Sequence, residues 1–273
     1  MLPILVATQL GRARAGALVD GLVVHPTLLQ PADDASRAVL AQALAVVLFD
    51  DLLGRVPSAA AYAEARWADG GRLHLDHGAV RTVVGVPCGE LAPGAESVAR
   101  LLRPLGYAPD ETATAGAWRH LDLPDDIPHY LVGELPADDF SEPFTAAAAR
   151  VVASSRDPLT GLAQVHLDRL AADGRLPRNA AESLLGELVA AFARHHATPT
   201  LSDFETLLAE SEEMAWIATE GTTWHHAAVR ADVDEAHPPA LVERSFKVGE
   251  RATETRTVPG SSFELVRRGP ASA

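Results

Sequence analysis

Two short segments decide how this chain is read: Asp76-His77-Gly78-Ala79-Val80-Arg81 and, far downstream, His225-His226-Ala227-Ala228-Val229-Arg230. Both contain the pattern His-small-Ala-Val-Arg. The first stands in a run, 72–86, whose Val80, Thr82, Val83, Val84 and Val86 are β-branched and which Pro87 closes, so a strand is predicted there. The second stands in 222–233, which again favours extended chain. Strand side chains an even number of positions apart share a face, so His77 points with Arg81 and His226 with Arg230. By the same count His74 faces away from His77. Each segment then offers one imidazole and one guanidinium to a common cavity.

Between the two segments the pattern is helical, over 145–218, with helices expected at 159–172, 179–195 and 200–214. Pro177 and Pro199 open new segments there, and Ser202 ahead of Asp203 and Glu205 reads as a cap. Upstream, Val39, Leu40, Ala43, Leu44, Val47 and Leu48 have helical spacing over 34–53, with Asp33, Asp34 or Ser36 as cap and Gly54 as stop. A short helix is expected over 96–105, short strands within 121–134, and further strands over 241–248 and 253–267. Residues 1–35 are expected to supply an extra strand or a contact between copies. The order is sheet, helical insertion, sheet, which predicts an α+β fold. A single domain over 1–270 is expected, with β-rich halves at 36–140 and 219–270 around the block 145–218.

Glu264 lies inside the strand-like, partly apolar run Ser262-Phe263-Glu264-Leu265-Val266. A buried carboxylate without a partner costs several kcal/mol, so it needs a cation, a metal or solvent. Two imidazoles and a carboxylate on one side of a site match the facial triad that leaves coordination positions open on non-haem Fe(II). Those donors also suit Zn or Mn, and an ion pair from Glu264 to Arg81, Arg230 or Arg268 is the structural alternative. The other imidazoles have simpler readings. His195-His196 suits an exposed helix C-terminus, and His120, His129 and His166 lack companion motifs. Cys88 reads as a small turn or core residue; Trp224, Phe246 and Phe263 either wall the site or pack the core.

Composition narrows the function. The 273 residues carry 23 Lys+Arg against 37 Asp+Glu, a formal charge of −14, and only 5% aromatics. Such a surface repels phosphate backbones, so no nucleic-acid partner is expected. A lone cysteine excludes an intramolecular disulfide and a Cys-based zinc site. The apolar start Met1-Leu-Pro-Ile-Leu-Val lacks a cationic lead, and no run of about 18 apolar residues follows, so a cytoplasmic protein without a membrane anchor is expected. There is no phosphate loop, dinucleotide fingerprint, Gly-x-Ser-x-Gly elbow or His-Glu-x-x-His helix.

The ordered set His77 to Arg81, His226 to Arg230, Arg244-Ser245-Phe246-Lys247, and Phe263-Glu264 followed by Arg268-Gly269 resembles the 2-oxoadipate dioxygenase/decarboxylase (DUF1338) family, over roughly residues 36 to 270. The resemblance implies a vicinal-oxygen-chelate-like β-rich core of two modules with an inserted helical block. It implies Fe(II) held by His77, His226 and Glu264, with Arg81 as the catalytic, substrate-binding residue for a carboxylate; Arg230 receives no role. His225 stands where the family generally has another polar residue, so His226 is chosen by its four-residue distance to Arg230. The implied partners are a small 2-oxo acid, which chelates the metal through carboxylate and keto oxygens, and dioxygen. The implied reaction is oxidative decarboxylation followed by hydroxylation, giving a 2-hydroxy acid and CO2. The sequence stops soon after Glu264, where many members continue, which leaves the acid open. Oxygenase action on another acid or amino acid in a biosynthetic pathway, and non-catalytic binding of a small molecule, are the alternatives.

Overall fold

Nineteen residues, Arg37–Arg55, form the long helix α3, and nearly all of them from Ala38 to Phe49 are buried around its whole circumference. A helix apolar on every side belongs in the middle of a fold, and the other layers assemble on this one. Ser36 caps it, its Oγ accepting from the Val39 amide at 3.2 Å. Gly54 does not stop it. The helix runs on to Arg55, whose Nη2 donates to the Trp224 carbonyl at 2.7 Å and ties α3 to the sheet.

The computed structural model describes residues 1–113, 115–230 and 262–266, and within the last strand only the side chain of Phe263. In chain order the elements before α3 are α1 (Leu2–Leu10), α2 (Arg12–Gly21) and the short strand β1 (Asp34–Ser36). After it come α4 (Pro57–Ala68), β2 (His74–Val84), α5 (Glu96–Leu102), β3 (Tyr107–Pro109), β4 (Ala117–His120) and β5 (His129–Pro136). The helical block follows as α6 (Glu142–Val152), α7 (Gly161–Asp173), α8 (Arg178–Ala191), α9 (Leu201–Glu210) and α10 (Glu212–Glu220), interrupted by β6 (Arg175–Pro177). Two strands complete the described chain, β7 (His226–Arg230) and β8 (Ser262–Val266).

The main sheet has the order β3-β4-β5-β2-β7-β8, while β1 and β6 form a separate antiparallel pair. β2 lies parallel to β5 and antiparallel to β7, and β8 lies parallel to β7. One sheet face, with Val80, Tyr130, Val132, Ala227 and Val229, joins the core built on α1, α3 and α8. The other carries His77, Ala79 and Arg81, and farther along β2 Val83 enters a second core with Phe144, Val151, Met214 and Ile217 of α6 and α10.

Several expectations change on inspection. Residues 1–35 are mainly helical, and Leu2, Leu5 and Val6 bury one helical stripe of the apolar start. The helix expected over 200–214 breaks at Ser211, whose extended backbone (φ −147°) separates α9 from α10. Its cap is Thr200, accepting from Asp203 N at 3.1 Å, rather than Ser202. The helix expected over 96–105 stops at Leu102, and α4, β3 and β4 are additions. Expected strand residues 231–233, 241–248, 253–261 and 267 lie outside the described residues.

At Gly78 the sheet packs closely against the Trp224 indole. A Cβ there would lie 2.2 Å from indole carbons of Trp224, which is wholly buried. Gly78→Ala is therefore expected to lower unfolding free energy by about 1–3 kcal/mol in urea titration. Gly133→Ala on β5 meets nothing nearer than 3.7 Å and is expected to be neutral or slightly stabilising.

Candidate metal centre

The pairing of β2 with β7 sets His77 opposite Ala228 and Ala79 opposite His226. The two histidines are thus diagonal neighbours on one face, with ring centres 5.3 Å apart and planes inclined by 34°. Two imidazoles sharing one ion at a metal–nitrogen distance of about 2.1 Å have centres roughly 4.5–5.5 Å apart. The alanines beside each ring leave that face open at small side chains.

His77 is held by its neighbour. Its Nδ1 lies 2.9 Å from Oδ2 of Asp76, a carboxylate only 3% exposed, whose Oδ1 accepts from Arg230 Nε at 2.9 Å. A carboxylate on Nδ1 places the proton there and leaves the lone pair on Nε2, the arrangement of a metal-binding histidine. His226 is kept neutral by another route: burial, then the charges of His77 and Arg81, push its pKa down to about 4. Metal binding requires unprotonated imidazole.

Asp76 reaches both partners because the strand is irregular at that point. The register runs from Leu75 opposite Val229 directly to His77 opposite Ala228, so Asp76 is the extra residue of a β-bulge. The extra residue cancels the odd count between His74 and His77. His74 sits opposite Arg230 with its Nδ1 3.5 Å from Arg230 Nη1, on the His77 side rather than the reverse face predicted from alternation. Arg230 is consequently the counter-ion of Asp76.

Arg81 approaches the same centre. Its charge contributes to the depressed pKa of His226 and, after burial, to that of His225. Its carboxylate partner is Glu213 in the first turn of α10, Nε to Oε1 3.2 Å. His225 donates its backbone amide to the Ala79 carbonyl and sets its ring 6.5 Å from both Trp216 and His226. Glu264 is described by its backbone: it pairs with Ala228 in the parallel register, in the row that contains His77 and His129. Among the described residues no group of three or more His, Cys, Asp or Glu is placed to hold a metal ion.

His120, His129, His195 and His196 have partners of their own. His129 meets the Pro124 carbonyl at 2.9 Å. His120 packs edge-on to Tyr107, accepts the Asp122 and Leu123 amides on Nδ1, and is pushed to about 4 chiefly by burial. His195 and His196 are half-buried, not solvent-exposed as expected. Their rings meet the Ala191, Ala197 and Ile217 carbonyls, and they close a cavity that also touches Arg81, Cys88, Leu91 and Val152. Trp224 and Phe263 are fully buried core; Phe246 and Arg268 lie outside the described residues.

Sequence reasoning missed Asp76 and Glu213. The signal for Asp76 was present, because the argument that a carboxylate inside a strand needs a cation applies to it as well as to Glu264. Nothing local marks Glu213, which reaches Arg81 only through the packing of α10 on the sheet.

The sheet, its helical block and this face define an α+β protein of vicinal-oxygen-chelate type. The chain belongs to the 2-oxoadipate dioxygenase/decarboxylase family, whose model matches residues 55–255. It is similar to a glyoxalase superfamily protein from Ralstonia eutropha JMP134, at 35% identity over 98% of this chain and 95% of that one, with a TM-score of 0.87. It shares its fold with the hydroxyglutarate synthase in complex with 2-oxoadipate from Oryza sativa (19% identity, 88% and 85% coverage, TM-score 0.55). The hydroxyglutarate synthase in complex with 2-oxoadipate from Pseudomonas putida is alike to a similar degree (19%, 88% and 66%, 0.57). No curated protein matches it in sequence. Among the described residues no helix is long and apolar enough to cross a membrane.

Two measurements check this geometry. His120 and His226, near 4 when folded against 6.5 when unfolded, leave the unfolded chain binding protons that the folded chain refuses between those values. Their contribution is complete above pH 6.5 and is lost as pH falls toward 4, at up to about 1.4 kcal/mol per pH unit for each group. Urea titrations of the metal-free protein from pH 7.5 to 4.5 should show this decline, and a flat profile contradicts it. Asp76→Asn should weaken divalent-metal binding about 10- to 100-fold in anaerobic titration; an unchanged Kd removes Asp76 from the centre.

Proposed function

We propose that the chain is a non-haem Fe(II)-dependent oxygenase that oxidatively decarboxylates and hydroxylates a small 2-oxo acid of the 2-oxoadipate kind. The observation that carries the reading is the His77–His226 pair, 5.3 Å apart on one sheet face with His77 oriented by Asp76, in a chain of this family. The donor chemistry fits a divalent metal: one imidazole has its tautomer set by a carboxylate and the other is kept unprotonated. His77, His226 and Glu264 would hold the metal.

Bound there, Fe(II) would supply the activation of dioxygen and of the 2-oxo acid. With 2-oxoadipate as substrate, one O2 is consumed and 2-hydroxyglutarate and CO2 are released, both oxygen atoms ending in products. The protein's own part is positional. Asp76, neutralised by Arg230, fixes the His77 ring. Arg81 offers a planar fork that takes the far carboxylate in two charge-assisted hydrogen bonds and sets the direction of the acid relative to the histidines. That local cation is needed because the net charge of −14 opposes the approach of an anion. The buried alanines beside the rings, Ala79 and Ala228, keep water from that side of the site.

The test is anaerobic iron titration followed by oxygen uptake and product analysis with 2-oxoadipate and a panel of 2-oxo acids. His77→Ala and His226→Ala should abolish iron binding. Arg81→Lys should raise KM about ten- to a hundredfold while iron binding persists. Absence of oxygen uptake with every acid overturns the proposal, and ligand binding unchanged by chelation or by His77→Ala replaces it with a non-catalytic binder.

A further inference from the structure

We propose that Glu213 sets substrate choice at Arg81, so that the far end of the preferred 2-oxo acid carries an ammonium or comparable hydrogen-bond donor beside its carboxylate, as an α-amino acid head does. The inference rests on Arg81 receiving that carboxylate and goes beyond it by naming what stands next to it.

The geometry is that of an opposed pair with room left over. Arg81 Nε and Glu213 Oε1 are 3.2 Å apart, with the two side chains 22% and 39% exposed. The contact takes up the Nε edge of the guanidinium, and the described residues provide no other partner for either group. Glu213 is no loose surface acid. It lies in the first turn of α10, whose start Ser211 caps through the Met214 amide, and the following residues Met214 to Thr219 are buried. The strand position across from Arg81 is Gly133, and a Cβ there would lie 3.8 Å from Glu213 Oε1. The missing side chain leaves the carboxylate a clear approach to β2.

A bare carboxylate placed in the Arg81 fork lies beside a second carboxylate, so a plain dicarboxylic 2-oxo acid is held there less favourably than one that also presents a cation. An acid with an ammonium on the carbon bearing that carboxylate turns the repulsion into a second contact, carboxylate to Arg81 and ammonium to Glu213. Discrimination of this kind needs a repulsive element as well as an attractive one, and the pair supplies both.

The test uses two acids of equal carbon length that differ by one ammonium, 2-oxoglutarate and 4-oxoglutamate, with 2-oxoadipate as a third. Wild type should bind 4-oxoglutamate more tightly than 2-oxoglutarate in anaerobic titration of the Mn(II)-loaded protein, and should favour it in kcat/KM. Glu213→Gln, which keeps the shape and removes the charge, should lower that preference at least about tenfold. Glu213→Asp should retain part of it. A purely structural ion pair would shift Tm in Glu213→Gln and leave the preference untouched, which overturns the inference. So does a wild type that binds 2-oxoglutarate better. Oxygen uptake scores the oxygenase reading separately: if it is absent with all acids, the binding preference still decides the role of Glu213. If it is present and the preference is equal in wild type and Glu213→Gln, the inference about Glu213 fails alone.

Discussion

The antiparallel contact between β2 and β7 closes around Gly78 and Ala227, and most of what is chemically interesting follows from that one register. On either side of the central pair the strands exchange equivalents: His77 faces Ala228 and Ala79 faces His226. A local two-fold axis runs through the exchange and brings imidazoles from distant parts of the chain to 5.3 Å. The register is guarded from the reverse side by Trp224, which fills the space that any side chain at position 78 would need. A slip of one residue would drive a histidine into the indole and an alanine onto the open face.

Charge around the pair is arranged by the same economy of space. The two arginines of the echo end in different settings. Arg230 is absorbed by Asp76, and that bridge fixes His77; Arg81 meets a carboxylate from a helix in the inserted block. A buried carboxylate tolerates its position only when satisfied on both oxygens, and Asp76 has a guanidinium on one and an imidazole on the other. The helical insertion is therefore more than a cover, since it delivers the acid that faces Arg81.

Much of the layout was legible in the residues. The Val-rich run around His77, the His-Ala-Ala-Val-Arg echo and the apolar periodicity of 34–53 announced two strands and a core helix, because each pattern is local and strong. What stayed illegible had non-local causes. The bulge at Asp76 is visible only once β7 is alongside, and it reversed the predicted facing of His74. The helix α1 begins as a short apolar run, which has no period long enough to separate helix from strand. In α4 the buried residues are Ala59 and Ala63, so its stripe carries little hydrophobic contrast. Thr200 displaced Ser202 as a cap by two positions, within the usual blur of helix ends. The expectation that His77, His226 and Glu264 are metal ligands came from the family pattern; the structure adds the proximity of the two histidines and the register of Glu264.

Among the described strands, β8 lies at the rim of the sheet and touches only β7. In a parallel pair the two strands must be joined by a long excursion, so closing this pair costs loop-closure entropy. The row position of Glu264 belongs to that outer strand. A cation shared between such a carboxylate and the two histidines would act as a rivet through the margin of the sheet, making loss of the ion and peeling of the outermost strand one cooperative event.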